Sequence, residues 1–288
     1  SFTPTANLAA DTVYHISYPS GAFTNTGGDV SYVGTAYTFT SGGLVPEIWT
    51  TGRNDYGQLG QNDKTHRSSP VQIPGTTWST ANIGGGFFLG TKTDGTLWAM
   101  GNNGSWGELG QNDKTLYSSP VQIPGTTWNE AKTGKEFAIA TRSDGTLWAW
   151  GAHENGQTGL NLTYVPSYKA NSSPTQIPGT TWTSNITTGN GHCYAIKTNG
   201  TLWAWGSNSY GKLGQNNETK YSSPVQVGSD TTWSKVAASR DAAAAIKTDG
   251  TLWVWGVGLK GGLGQNDRTN RSSPVQIPGT WSEISGGW

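Results

Sequence analysis

The chain has 288 residues with 18 basic and 18 acidic side chains, so it carries no net charge and lacks the electrostatic footprint of a nucleic-acid or anionic-membrane binder. Its 42 glycines and 15 tryptophans beside one methionine point to turns and large aromatic anchors and away from a helical bundle. Cys193 is the lone cysteine, so no internal disulfide forms, and no run of roughly 18 apolar residues exists to span a bilayer.

In chain order, the start SFTPTANLAADT lacks the basic and apolar regions of a secretory signal, and the expectation is cytoplasmic synthesis. Residues 1 to 35 hold TVYHISYPSGAFTNTGGDVSYVG, two short strand-like runs around a glycine-rich turn, which read as an N-terminal attachment arm. Then AYTFTSGGLVPEIWTTG reads as a hairpin with Ser41, Gly42 and Gly43 at its turn.

From Trp49 the chain repeats. The leading tryptophans Trp49, Trp98, Trp148, Trp203 and Trp253 are separated by 98−49=49, 148−98=50, 203−148=55 and 253−203=50 residues. The PGTTW motif keeps step at Trp78, Trp128, Trp182 and Trp233, and as PGTW at Trp281. A period of about 50 residues signals a solenoid or a propeller. Within each unit, runs such as AIKT and TLWVWG flank Asp249-Gly250, and the same turn recurs at Asp94-Gly95, Asp144-Gly145 and Asn199-Gly200. Such dipeptides predict two-residue hairpins of type I′. A further strand is expected at VQI, with the proline of SSP marking its start, and the segment after PGTTW completes about four strands per unit. No helical period of 3.6 is present.

In LWAWG the tryptophans lie on one face of the strand, Leu202 and Ala204 lie on the other, and neither face is polar. A sheet covered on both sides fits stacked propeller blades better than an open sandwich. The sixth copy stops after SEISGGW, and the first unit lacks a PGTTW segment. The expected architecture is therefore all-β: a five-bladed propeller over residues 36 to 288, closed by pairing of Trp281–Trp288 with the Ala36–Thr40 strand, with residues 1 to 35 as an N-terminal β arm.

The pattern WxWGxNxxGxLG, followed by SSPVQ and DGTLW over about residues 36 to 288, resembles the regulator of chromosome condensation repeat family. That resemblance implies a β-propeller. The type member of the family has more blades and acts as a nucleotide-exchange factor on a small GTPase while docked on chromatin. This chain, with five copies and no inserted wedge-like segment, is expected not to share that activity. The fold also serves secreted bacterial inhibitors of β-lactamase, which implies a scaffold suited to protein binding. The near-identical units and the arm are similar in style to bacteriophage virion proteins of tails or head fibres.

No chemistry-bearing constellation stands out. His15, His66, His153 and His192 fall at no metal-ligand spacing, and Cys193 adjoins His192 without a C-x-x-C partner. Alignment of the units puts His192 with Phe87, Phe137 and Ala242, which gives it a structural role. Asp94, Asp144 and Asp249 are explained by their turns, and the QND loops at Gln61–Asp63, Gln111–Asp113 and Gln265–Asp267 by turn formation more than by cation binding. Gly84-Gly85-Gly86 precedes no helix that would receive a phosphate. The expectation is no catalysis, no metal and no cofactor.

What varies between units is confined to windows. The first reads RNDY, NNGSW, AHEN, SNSY and VGLK, and the second, before SSP, reads HR, LY, KY and NR. The third unit also carries an insertion at 160 to 171. The aromatics Tyr56, Trp106 and Tyr210 of the first window, with Tyr164 and Tyr168 of the insertion, are the candidate binding residues, because Trp and Tyr give much contact area per ordered torsion. Together these readings predict a non-enzymatic virion component. It would attach to other virion proteins through its arm and present loops to a host-surface glycan or protein. The alternative is a free soluble protein-binding or inhibitory module.

Overall fold

The computed structural model describes residues 13–16, 37–40, 46–162 and 170–287. The chain divides into two compact units, Ser1–Pro46 and Glu47–Trp288. In the first, β1 (Val13–Ile16) pairs antiparallel with β2 (Tyr37–Thr40), Val13 opposite Thr40.

The second unit is a propeller built almost wholly from antiparallel strands. A two-stranded sheet, β3 (Trp49–Gly52) with β4 (Arg67–Gln72), comes first. Four blades of four strands follow, each a meander in chain order. Blade 1 is β5 (Asn82–Ile83), β6 (Phe87–Thr91), β7 (Leu97–Gly101) and β8 (Tyr117–Ile123). Blade 2 is β9 (Trp128–Thr133), β10 (Phe137–Arg142), β11 (Leu147–Ala152) and β12 (Ala170–Ile177). Blade 3 is β13 (Trp182–Thr188), β14 (His192–Lys197), β15 (Leu202–Gly206) and β16 (Tyr221–Gln226). Blade 4 is β17 (Trp233–Ala238), β18 (Ala242–Lys247), β19 (Leu252–Gly256) and β20 (Arg271–Ile277). No α-helix occurs among the described residues, only single 3-10 turns at 209–211 and 259–261.

The core lies between blades, as the two apolar faces of LWAWG require. Trp150, Trp205 and Trp255 are fully buried, and each indole N–H donates to a carbonyl of the preceding blade: Glu108 O at 2.8 Å, Gln157 O at 3.0 Å and Lys212 O at 3.0 Å. The glycine two residues beyond each of these carbonyls permits the approach. At Gly159, where φ is +68°, a Cβ would come within 2.9 Å of the Trp205 ring.

Two local expectations change. The second-to-third-strand hairpins are not type I′, because only the glycine takes positive φ (Gly95 77°, Gly145 78°, Gly200 75°, Gly250 81°). Gly95 N–H closes on Lys92 O and Lys92 N–H on Thr96 O, the three-residue connection with a left-handed glycine. The prolines of SSP lie inside β4, β8, β12, β16 and β20, which they can do because these are the outermost strands and their N–H side is free.

The expected closure by Ala36–Thr40 pairing with residues 281 to 288 joins segments of the two separate units and is not shown among the described residues. β2 has β1 as its partner, residues 278–287 lie in no strand, and the fifth sheet has two described strands where four were expected. The segment after Trp281 lies side-on against blade 4, with Lys235 Nζ donating to Ser282 O at 2.8 Å and Ile284 packed on the blade 4 core. Neighbouring blades meet through such face contacts, which leave no ladder for it to extend. Trp281 is accordingly 41% exposed, whereas Trp78, Trp128, Trp182 and Trp233 are buried.

Candidate protein-binding face

The turn between first and second strands has the same form in every blade. The residue three before the second strand donates its N–H to that strand's first carbonyl: Gly84 to Phe87, Gly134 to Phe137, Gly189 to His192 and Ser239 to Ala242, at 2.8 to 2.9 Å. The frame is constant while the two residues after each donor are not. They read Gly85-Gly86, Lys135-Glu136, Asn190-Gly191 and Arg240-Asp241. Ile83, Gly84, Gly85, Lys135, Asn190 and Arg240, from all four blades, line one cavity of about 420 Å3.

The loop between third and fourth strands emerges at the same end of the sheet, because the second strand starts beside the end of the third (Phe87 opposite Gly101). Its residues meet the next blade's turn. Tyr56 lies so close to Gly86 that a Cβ there would fall 2.9 Å from its ring, and Asn155 Nδ2 lies beside Gly191. Lys212 is buried and its ammonium lies 2.8 Å from Asp241 Oδ1. The equivalent position is the buried Gln157 one unit earlier and the buried Glu108 two units earlier, and the Glu108 carboxyl is pushed up by burial and further by the charge of Glu136. Arg240 and Lys135 are exposed, at 3.4 Å from Asp241 and 3.6 Å from Glu136.

Tyr56, Trp106 and Tyr210 occupy one equivalent position, the residue before the loop glycine. Tyr56 and Tyr210 are exposed and Trp106 is half-buried. Tyr164 and Tyr168 lie outside the described residues. The windows are not wholly free. Asn54, Asn103 and Asn208 are fully buried, their side-chain oxygens accepting from Leu59, Leu109 and Leu213 N–H at 2.8 to 2.9 Å and so shaping the loops. Lys135, Asn190 and Arg240 fall outside the sequence windows. The turn triplets GGG, GKE, GNG and SRD, aligned between units, mark a third variable stretch that holds them.

His192 is fully buried at the place held by Phe87 and Phe137, edge-on to Tyr194 with ring centroids 5.4 Å apart. Burial first, and the nearby Lys212 charge second, push its imidazole down to about 3, so it stays neutral. No group of three His, Cys, Asp or Glu among the described residues could hold a metal.

The family described as Regulator of chromosome condensation (RCC1) repeat matches residues 47–88, 144–196 and 199–246, and a second form of the same repeat matches 184–212. No curated protein matches the chain in sequence. Among solved structures, human WBSCR16 is similar at 21% identity and a TM-score of 0.71, over 83% of this chain and 65% of that one. Prp20p from Saccharomyces cerevisiae, described with its binding properties to Gsp1p and histones, is similar at 19% identity and TM-score 0.71, over 84% and 62%. Yeast RCC1 (Prp20) bound to Kap60 gives 19% and 0.69, over 81% and 57%. The chain thus spans less than two thirds of the length of each, and the likeness is one of fold.

None of these similarities indicates a bacteriophage virion form. The expectation that the chain is no enzyme is overturned. The resembled family has a nucleotide-exchange factor as its type member, and the fold is shared with Prp20p, a protein with binding properties toward Gsp1p.

Proposed function

We propose that this chain, which belongs to the regulator of chromosome condensation (RCC1) repeat family, is a protein-binding propeller that takes its partner on the face carrying the first-to-second-strand turns and the third-to-fourth-strand loops. One observation carries the reading. The residues that break the repeat gather on that face, around a cavity bounded by Lys135, Asn190 and Arg240, with Tyr56 and Tyr210 exposed in loops at the same end. Variable side chains on a rigid frame are where recognition concentrates, and aromatic and arginine side chains are the usual anchors. The proteins that share the fold and are described with partners, Kap60 in one case and Gsp1p and histones in the other, have protein partners, which supports the same class here.

The test is charge reversal on the face, Lys135→Glu with Arg240→Glu, read by cross-linking of the purified protein to its partners and by nucleotide release from a small GTPase. Both side chains are exposed, so melting should hold within about 2 °C while partner capture falls about tenfold or more, equivalent to roughly 1.4 kcal/mol. Unchanged capture of the same proteins by the reversed face would refute the assignment.

A further inference from the structure

The chain holds four Asn-Gly dipeptides, at Asn103-Gly104, Asn155-Gly156, Asn190-Gly191 and Asn199-Gly200. In such a pair the glycine nitrogen is one ring closure away from the asparagine carboxamide carbon, and the glycine has no Cβ to obstruct the approach. The fold protects three of the four. Gly104 N–H donates to Asn102 Oδ1 at 3.3 Å, Gly156 N–H to His153 O at 2.8 Å and Gly200 N–H to Lys197 O at 2.8 Å, so each nitrogen is held by an acceptor other than its own neighbour. Two of the carboxamides are fixed as well. Asn103 is buried, with its oxygen accepting from Leu109 N–H at 2.9 Å and its nitrogen donating to Asp113, and the Asn199 oxygen accepts from the Thr201 N–H and hydroxyl.

Asn190-Gly191 has neither restraint. It forms the turn between β13 and β14, and among the described residues no acceptor takes the Gly191 N–H and no partner holds the Asn190 carboxamide. Asn190 is half-buried on the lining of the cavity, so water has access to it. A Cβ on Gly191 would meet only the Ser207 and Asn155 side chains, at 3.8 to 3.9 Å, which leaves the turn room to bend. We propose that Asn190 is a self-modification site. Loss of the Gly191 amide proton to solvent hydroxide lets that nitrogen attack Asn190 Cγ. The N–Cγ bond forms as the Cγ–Nδ2 bond breaks, and the leaving nitrogen takes a proton from water and departs as ammonia. Water then opens the cyclic imide at either carbonyl, giving aspartate or isoaspartate. Both products place one new carboxylate in the cavity that Lys135 and Arg240 also line. The isoaspartyl form also adds a backbone carbon to a turn closed by Gly189 N–H on His192 O at 2.9 Å. The effect on binding rests on the docking role proposed above for this face: a carboxylate there weakens capture of a partner recognised through those two cations.

The test follows the purified full chain through incubation in neutral and mildly alkaline buffer, with peptide mass spectrometry reading each of the four sites and ion exchange reading charge. Asn190 should convert several-fold faster than Asn103, Asn155 and Asn199, and faster still in alkali, while an acidic form builds up from a chain of no net charge. In urea the four rates should draw together, since each asparagine is followed by the same residue. Conversion at Asn190 no faster than at the other three in the folded protein overturns the proposal, and so does a lead that urea leaves unchanged. Gly191→Ala should slow conversion several-fold while melting holds, because Gly191 lies outside the left-handed region and its Cβ would make ordinary contacts. Unslowed conversion in this variant overturns the attack by the Gly191 nitrogen. Partner capture is read on fresh and incubated samples of both proteins. Capture that falls several-fold in the unmodified protein and holds in Gly191→Ala supports the effect on binding. Full conversion with capture unchanged overturns that effect, and the docking face itself stands or falls by the Lys135→Glu with Arg240→Glu result.

Discussion

Replacing His192 by phenylalanine should stabilise the protein, and the gain should grow as the pH falls. The imidazole is fully buried, neither ring nitrogen has a hydrogen-bond partner among the described residues, and Lys212 adds an unfavourable positive charge. Its folded value is about 3 against 6.5 for the free side chain. Because the folded value lies below the unfolded one, the unfolded chain binds a proton first. Stability is therefore intact above about 6.5, drains away as the pH drops through the window between the two values, and levels off below about 3. At about 1.4 kcal/mol per unit, the loss assigned to this residue is roughly 3 kcal/mol at pH 4.5 and about 5 kcal/mol at its limit. Phenylalanine keeps the edge-on contact with Tyr194, fills the position as Phe87 and Phe137 do, and takes up no proton. Urea unfolding of both proteins at pH 7.5 and 4.5 measures the effect, since carboxylates common to both cancel in the difference. The stability gap should widen by about 3 kcal/mol between the two conditions. A gap that stays constant would mean that the imidazole protonates without leaving its site, and the reasoning from burial would fall.

Asp241→Ala should strip the buried Lys212 ammonium of its counter-ion and lower stability by about 2 to 3 kcal/mol in thermal unfolding, with Lys212→Met in the same chain restoring most of it. Arg142, whose guanidinium lies 4.3 Å from the ring centres of both Trp128 and Trp148, should tolerate lysine with less than about 1 kcal/mol of loss, since Lys92, Lys197 and Lys247 fill that place in the other blades. Arg142→Ala should cost about 2 kcal/mol by the same measurement, because two stacked rings lose their filling.

The blade is legible in the sequence because its causes are local and repeated. Four copies of an apolar LW strand, each with a turn glycine two residues before the leucine, and a related IW at Ile48-Trp49 leave little freedom in strand count, and the alignment of His192 with Phe87 and Phe137 already gives that residue a place in the core. The hairpin type is not legible, because Asp-Gly signals only that a left-handed residue is needed. Whether one or two residues adopt it depends on loop length, which Thr93 extends by one. The cavity rim is hidden for another reason. Lys135, Asn190 and Arg240 lie about 50 residues apart in sequence, and only the packing of first strands side by side brings them to one opening.

The two ends of each blade differ in how much change they can absorb, and this decides where recognition can evolve. At the end carrying the second-to-third-strand turns, Asp94 Oδ1 accepts from the Thr96 N–H and hydroxyl, and the Thr96 oxygen accepts from the Trp98 indole; the chain repeats at Asp144, Asn199 and Asp249. These bonds hold the Asp94 and Asp144 carboxyls below the usual carboxylate range, the threonine hydroxyl contributing most. A few residues before, the Lys or Arg between two indoles ties the turn to the blade. Only closely matched substitutions, such as Asn199 for the turn aspartate or Arg142 for the lysine, keep this linked set of three or four groups, so that end is held by its own packing. At the opposite end the loops are shaped by the buried Asn54, Asn103 and Asn208 and by a backbone bond to the next serine segment, while exposed positions such as Lys135 and Arg240 carry less of the packing. Divergence among the described units is therefore directional, and it falls on the cavity face, which is where the proposed protein partner would meet this scaffold.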